Sequence, residues 1–245
     1  MKNNPSGKIE FEQLQFKEPL SEIGSFLDFA EKEVSSEVIE LSKFKNENNR
    51  KHLQKLVYVN LVNRFDYLID KLLLWFCTNN KELRDEVLSS VANEYISKKD
   101  VFEYFLLKDQ SAEIITENIK DLARLRQLKE RHSAKIHKIE KLIKVSNIDI
   151  PRVNYSNGKI YQKCKTNKTI PNTIHGYSDY LYSRRNSIVH GDGTNYTNND
   201  YDKIKDLYKV RLPKSFKLQL SSIRTAANFY KDLIEIFKKH FVKLG

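Results

Sequence analysis

An all-α fold is predicted by three features of the sequence. Its 245 residues include only 7 Gly and 5 Pro, fewer turn residues than a β-sandwich or barrel needs. Apolar residues recur over long stretches at the three-to-four spacing of helices, with little strict alternation. Hydrophobic residues make up 40% and charged residues 31%, which is the balance of a globular chain able to bury a core.

Residues 1–18 read as a loose lead-in. A helix is expected from Pro19-Leu20-Ser21, with Ile23, Phe26, Leu27, Ala30, Val34 and Leu41 at helical spacing. The polar run from Lys45 to Arg50 is expected to break it. A second helix, Lys51 to Thr78, places Leu56, Val59, Val62, Phe65, Leu68, Ile69, Leu72, Trp75 and Phe76 on one wide face, the pattern of a central core helix. Shorter helices follow near 81–97 and 99–107. Residues 112–145 are strongly helical. Their narrow apolar stripe (Leu122, Leu125, Lys129, His132, Ile136, Ile139, Ile143) is flanked by Lys120, Arg124, Arg126, Arg131, Lys135, Lys138, Lys141 and Lys144. That stripe fits a partner surface or one arm of a helical hairpin, and the charged faces read as solvated.

Residues 146–175 change character, with Pro151, Pro171 and many Asn, Lys and Thr. Within them a small β-hairpin is expected near 153–161. Val153-Asn154-Tyr155 and Ile160-Tyr161 flank Asn157-Gly158, a pair suited to a type I′ turn. A helix from Tyr177 to His190 follows, with Gly191 as its C-terminal cap. Asn199 or Asp200 caps a short helix to Lys209, Pro213 breaks the chain, and a last helix spans 215–243. Its apolar face is Leu218, Ile223, Ala226, Phe229, Tyr230, Leu233, Ile236 and Phe237.

Lys plus Arg is 43 against 32 Asp plus Glu, a net charge of +11. Such a balance suits a polyanion, either nucleic acid or an anionic membrane surface, although Lys- and Asn-rich composition also follows from AT-rich coding. Lys159, Lys163, Lys165 and Lys168 lie among Tyr155 and Tyr161. Interleaved cations and rings suit RNA phosphates and unstacked bases; a disordered polar insertion is the alternative. Cys77 and Cys164 cannot form a disulfide framework. The start, Met1 to Gly7, has no apolar signal region, and no stretch is long enough to span a bilayer, so a cytoplasmic location without membrane association is expected.

The segment Arg185-Asn186-Ser187-Ile188-Val189-His190-Gly191 is the chemical focus. Arg and His at this spacing are weak evidence alone: 11 Arg and 6 His give about 0.8 chance matches over three permitted spacings. Arg126 to His132, Arg131 to His137 and Arg184 to His190 fit as well. Three features set Arg185–His190 apart. Asn186 follows the Arg, Ile188-Val189 form a pair expected to face the core, and Gly191 stops the helix at the His.

With these residues the segment resembles the R-x4-6-H motif of the HEPN superfamily (higher eukaryotes and prokaryotes nucleotide-binding domains). The likeness covers residues 50–78 and 177–243. It implies a single HEPN-like helical bundle over 1–245, with a lead-in and N-terminal helix over 1–50, a core of 51–78 and 177–243, and an insertion over 79–175. It also implies a metal-independent endoribonuclease, working as a toxin or phage-defence effector, with no cofactor. Arg185 and His190 would be catalytic, leaving a 2′,3′-cyclic phosphate and a 5′-OH. The sites of such enzymes are paired across a homodimer, here through the Arg185–His190 face, and an antitoxin or other defence partner is implied. Where some HEPN toxins carry Tyr two residues after the His, this chain has Asp192, a departure from that subgroup and its Tyr-modifying antitoxin.

The chemistry is coherent. A guanidinium binds phosphate oxygens bidentately and stabilises charge on a phosphorane. A His moves protons to and from ribose hydroxyls near neutral pH. Residues five apart on a helix lie about 140° apart, so one pair makes half a site and a two-fold axis would complete it. Arg184 offers a further phosphate contact, and Asn186 would orient the His or the RNA. Asn63, Asp66 and Asp70 share a face of the second helix and could support the motif, with salt bridging the stronger reading for Asp70. No HExxH, CxxC, GxxxxGK[ST] or GxGxxG occurs, and His132 and His137 lack a carboxylate at ligand spacing, so no metal site is expected. Two other functions stay open: a catalytically inactive HEPN scaffold binding RNA or a partner protein, and a basic helical protein on DNA.

Overall fold

The computed structural model describes residues 47–79, 130–143, 150–191 and 193–243. The expected lead-in and first helix, the helices near 81–97 and 99–107, the stripe residues Leu122, Leu125 and Lys129, and Asp192 lie outside the described residues. Those described form five helices: α1 (Glu47–Asn79), α2 (His132–Leu142), α3 (Ile174–His190), α4 (Asn198–Tyr208) and α5 (Leu220–Lys243). Among the described residues there are no strands, only two isolated antiparallel bridges, Val153 with Ile160 and Asn195 with Ser215. The all-α expectation holds. No described helix is long and apolar enough to cross a membrane.

The chain divides into two compact units. The described part of the first holds 47–67, 140–143, 150–191 and 193–243, and that of the second holds 68–79 and 130–139. In the second, Leu68, Ile69, Leu72 and Leu73 are buried, as are His132, Ile136 and Ile139, so the described part of the expected stripe is an apolar face. Lys135 is a correction. It is buried, because its Nζ pairs with Asp70 Oδ1 at 2.8 Å; a carboxylate within reach outweighs solvation of the ammonium.

In the first unit α1 contributes Val57, Tyr58, Leu61, Val62 and Phe65 to the core. This face is centred beyond the expected one: Leu56 is exposed, and Val57, Tyr58 and Leu61 take the inward positions. Helix α1 takes in Glu47 to Arg50, ahead of the expected start at Lys51; whether the polar run ends a preceding helix lies outside the described residues. Glu and Arg are good helix formers, and no Gly or Pro interrupts them.

Helix α3 is the most enclosed of the described helices. Ten residues from Ile174 to Ser187 are buried, among them Tyr177, Ser178, Asp179, Tyr180 and Leu181 in one unbroken run. Polar atoms so enclosed need partners. Tyr58 Oη donates to the Leu181 carbonyl at 2.9 Å, Ser187 Oγ to the Ser183 carbonyl at 3.0 Å, and Tyr208 Oη to Asp179 Oδ2 at 2.8 Å. The helix starts one turn before the expected Tyr177 because Thr173 caps it, accepting from the Gly176 N–H at 3.0 Å. It ends at His190 as expected. Gly191, however, is extended (φ −133, ψ −158), and the left-handed residue is Gly193 (φ +72), whose N–H reaches the Ser187 carbonyl at 3.1 Å.

Helix α4 is capped by Thr197, whose side chain accepts from Asp200 N, and not by Asn199 or Asp200. The chain then runs through 210–219 as an irregular arm with a single bridge at Ser215. Tyr196 N donates to the Lys214 carbonyl and Phe216 N to the Thr194 carbonyl, so α5 starts at Leu220 and not at 215. On α5, Ile223, Ala226, Phe229, Tyr230, Leu233 and Phe237 are buried as expected, with Ile234 added. Tyr230 stacks on Phe65 of α1 at 4.0 Å between ring centroids.

The hairpin at 153–161 is present and docked. Asn154 N donates to Lys159 O and Tyr161 N to Arg152 O. Its turn is not type I′, which needs positive φ at both central residues: among the described residues only Lys209, Gly158 and Gly193 have positive φ. Instead the Asn154 carbonyl accepts from both Asn157 N and Gly158 N, and Gly158 (φ +75) reverses the chain against α5. Ile160 N donates to Asp232 Oδ2 at 2.8 Å, and Asn228 Nδ2 to the Asn157 carbonyl at 2.9 Å. The reading of this stretch as a disordered insertion is therefore overturned for residues 150–173.

Candidate functional site

Arg185, Asn186 and His190 occupy the last turns of α3. Arg185 is half-buried, and its Nε donates to Asn63 Oδ1 of α1 at 2.8 Å while Nη1 donates to Asn186 Oδ1 at 3.1 Å. Asn186 Nδ2 donates in turn to Asp200 Oδ2 of α4 at 3.2 Å. The amide is thus oriented by both neighbours in the same sense, oxygen to the cation and nitrogen to the carboxylate. The guanidinium carbon also lies 5.5 Å from the Tyr182 ring centroid. A chain Asn63–Arg185–Asn186–Asp200 joins three helices and fixes the Arg185 plane, leaving its second terminal nitrogen for an anion.

His190 is the last residue of α3 and is exposed. Five residues from Arg185, it points to a different sector of the helix. A single chain therefore offers a fixed cation and a solvent-facing imidazole without closing a pocket around both. The expected inward pair Ile188-Val189 is a correction. Val189 is 45% exposed and Ile188 half-buried, and the buried residue of this turn is Ser187. A hydroxyl bonded back to its own helix packs there more closely than a branched chain.

Of the other expected site residues, Asn63 joins Arg185. Asp66 is half-buried, and after burial and the neighbouring Tyr58 its charge adds to what holds the Tyr230 phenol protonated. Asp70 pairs with Lys135, as the salt-bridge reading had it. Lys159, Lys163, Lys165 and Lys168 are all exposed, and so are Tyr155 (52%) and Tyr161 (44%). They ride on an ordered arm: Asn172 receives Arg152 N and Val153 N at its carbonyl, and Arg211 N donates to Lys168 O.

Arg184 stands apart from its neighbour. It is buried, its Nη2 donates to the Lys217 carbonyl at 3.1 Å, and its guanidinium carbon lies 5.6, 5.5 and 4.7 Å from the centroids of Tyr58, Tyr180 and Phe216. Such faces attract a cation. It borders a cavity of about 400 Å³ between α3, the 213–217 arm and the start of α5.

Two groups escaped the sequence reading. Asp200 was read only as a helix cap, because nothing local ties it to Asn186. Glu140 is buried and meets His175 Nε2 at 2.7 Å, a pairing across 35 positions that no spacing rule reports.

No protein-family profile, no curated protein and no solved structure matches this chain.

Proposed function

We propose that the protein is a metal-independent endoribonuclease of HEPN type, a toxin or defence effector that cleaves RNA by attack of a ribose 2′-OH on the adjacent phosphate. The observation that carries this reading is the restraint of Arg185. Asn63 and Asn186 hold its guanidinium at 2.8 and 3.1 Å, and His190 is exposed at the end of the same helix. Arg185 would bind the scissile phosphate and stabilise its developing charge. His190 would exchange protons with the 2′-OH or the leaving 5′-oxygen. The two residues diverge on one helix, so a second copy related by a two-fold axis would complete the cleft, with the exposed Val189 in the contact. The lysines and tyrosines of the 153–168 arm supply a sequence-tolerant RNA track.

Purified protein incubated with RNA in EDTA tests this. Cleavage that disappears in both Arg185→Ala and His190→Ala supports the reading, and equal cleavage by wild type and both variants rejects it. The second reading, an inactive HEPN scaffold that binds RNA or a protein, is favoured by the occupation of two Arg185 nitrogens by asparagines. It requires RNA retention without cleavage by the wild-type protein. Preference for duplex DNA over RNA at one fixed salt concentration would instead favour a DNA-binding protein.

A further inference from the structure

Arg184 carries a buried charge with no opposite charge paired to it among the described residues. It is 5% exposed, and its Nε has no hydrogen-bond acceptor there. Burial acts against its cation, and the groups that favour it are Tyr180, Tyr58, Tyr196 and Tyr177. Burial in turn keeps the Tyr58, Tyr177 and Tyr196 phenols protonated well beyond neutral pH. Near pH 7 the guanidinium therefore has ring faces and one carbonyl for company, but no anion. Burying a cation without a counter-charge is costly, and such a cost persists where it serves a ligand.

The surroundings specify that ligand. The cavity Arg184 borders, about 400 Å³, is within the range of small-molecule sites. Its floor is the start of α5, a 24-residue helix, with Ser221, Ser222 and Thr225 in the lining. Ser222 N and Ile223 N donate to the Gln219 carbonyl and Ser221 Oγ to Gln219 Oε1; the earlier N–H groups and the helix dipole attract an anion, and the Ser222 hydroxyl, which accepts from Gln219 N, keeps its proton to donate. The lining also holds Tyr155, 52% exposed on the docked hairpin, and Ile170; the Tyr155 ring offers a flat face for a planar base and Ile170 adds apolar surface. Lys217, also in the lining, is exposed.

From this juxtaposition we infer that the cavity bounded by Arg184, Ser221, Ser222 and Tyr155 binds a nucleotide phosphomonoester. The phosphate sits between the guanidinium and the α5 N-terminus, and the base lies against Tyr155. Its source is either a free mononucleotide or the phosphorylated 5′ end of an RNA strand. The site is independent of the Arg185–His190 chemistry, since successive residues on a helix face about 100° apart. It would persist if the ribonuclease reading failed.

Calorimetry on the full chain separates the possibilities, using AMP, adenosine, inorganic phosphate, and one short oligoribonucleotide with either a 5′-phosphate or a 5′-OH. AMP or the 5′-phosphorylated strand is expected to bind one per chain, at least tenfold more tightly than its dephosphorylated partner. Whichever phosphorylated probe binds more tightly identifies the source. Ser221→Asp puts a negative charge in the first turn of α5, which favours the helix but repels phosphate. It should weaken binding at least tenfold without lowering the melting temperature. Arg184→Met fills the same aromatic enclosure without charge and should abolish phosphate discrimination. Equal affinity for AMP and adenosine, no binding of any phosphorylated probe, or unchanged binding by a folded Ser221→Asp protein would overturn the inference.

Discussion

Arg184 and Arg185 are adjacent in sequence and opposite in circumstance. Arg184 is enclosed by rings, while Arg185 is half-buried and tethered by two asparagines. If Arg185 acts by holding a phosphate, its orientation matters as much as its charge. Asn63→Ala removes the bond from α1 and leaves the side chain on the surface side, so stability should change by less than about 1 kcal/mol. Cleavage in EDTA should fall about tenfold, equivalent to about 1.4 kcal/mol in the barrier. Single-turnover rates and a urea melt on the same variant check both halves. The Asn63 contact was legible because one face of a long helix repeatedly presented polar residues to the motif. Asp66 and Asp70 shared that face, but Tyr230, whose proton the Asp66 charge helps retain, and Lys135, which pairs with Asp70, come from distant sequence. The inward role given to Val189 failed for a local reason: Ser187 can bond its own helix and so occupy the buried position.

At the scale of elements, the 153–161 hairpin shows what a turn signal does and does not convey. Asn157-Gly158 marked the reversal correctly. The turn type depended on the Asn154 carbonyl accepting two N–H groups and on contact with α5, neither visible in a dipeptide. A Cβ on Gly158 would come within 1.8 Å of the Thr225 carbonyl oxygen at a φ of +75. Gly158→Ala should therefore undock the hairpin, costing about 2–4 kcal/mol; urea denaturation measures it, and a loss below about 0.5 kcal/mol would contradict the docking. RNA affinity should fall along with it, since the arm displays Lys159 and Lys163. The ends of α3 follow the same rule. Its stop at His190 was legible from glycine, but the left-handed conformation belongs to Gly193 because that N–H reaches back to Ser187.

For the whole molecule, periodicity and the scarcity of Gly and Pro sufficed for the helical class. The contacts that join elements, such as Glu140 with His175 and Ile160 with Asp232, span 35 and 72 positions and leave no local trace. One global property follows from the buried tyrosines. Burial pushes Tyr177 up to about 12 and raises Tyr58, Tyr196 and Tyr230 well above their ordinary range. The folded state thus binds protons that the unfolded chain releases near pH 10. Stability should be flat with respect to these groups below that pH. It should then fall as pH rises through the folded values, by as much as about 1.4 kcal/mol per pH unit for each such tyrosine. Urea midpoints at pH 8, 10 and 11 test this; an unchanged midpoint from 10 to 11 would contradict it.

Assembly is the second test at this scale, because the proposed site is complete only when two copies pair. If that pairing forms through the helix end where Val189 is exposed, Val189→Glu should shift the protein toward monomer in sedimentation experiments, and cleavage should decline with the dimer fraction. Full activity in a monomeric variant would remove the need for a paired site. The central claim is attack by the 2′-OH, promoted by Arg185 and His190, and the ends of the cut RNA report it most directly. Mass spectrometry of fragments produced in EDTA should find 2′,3′-cyclic phosphate and 5′-OH termini from the wild-type protein and none from His190→Ala. Fragments ending in 3′-OH and 5′-phosphate, or cyclic-phosphate ends formed equally well by His190→Ala, would contradict it.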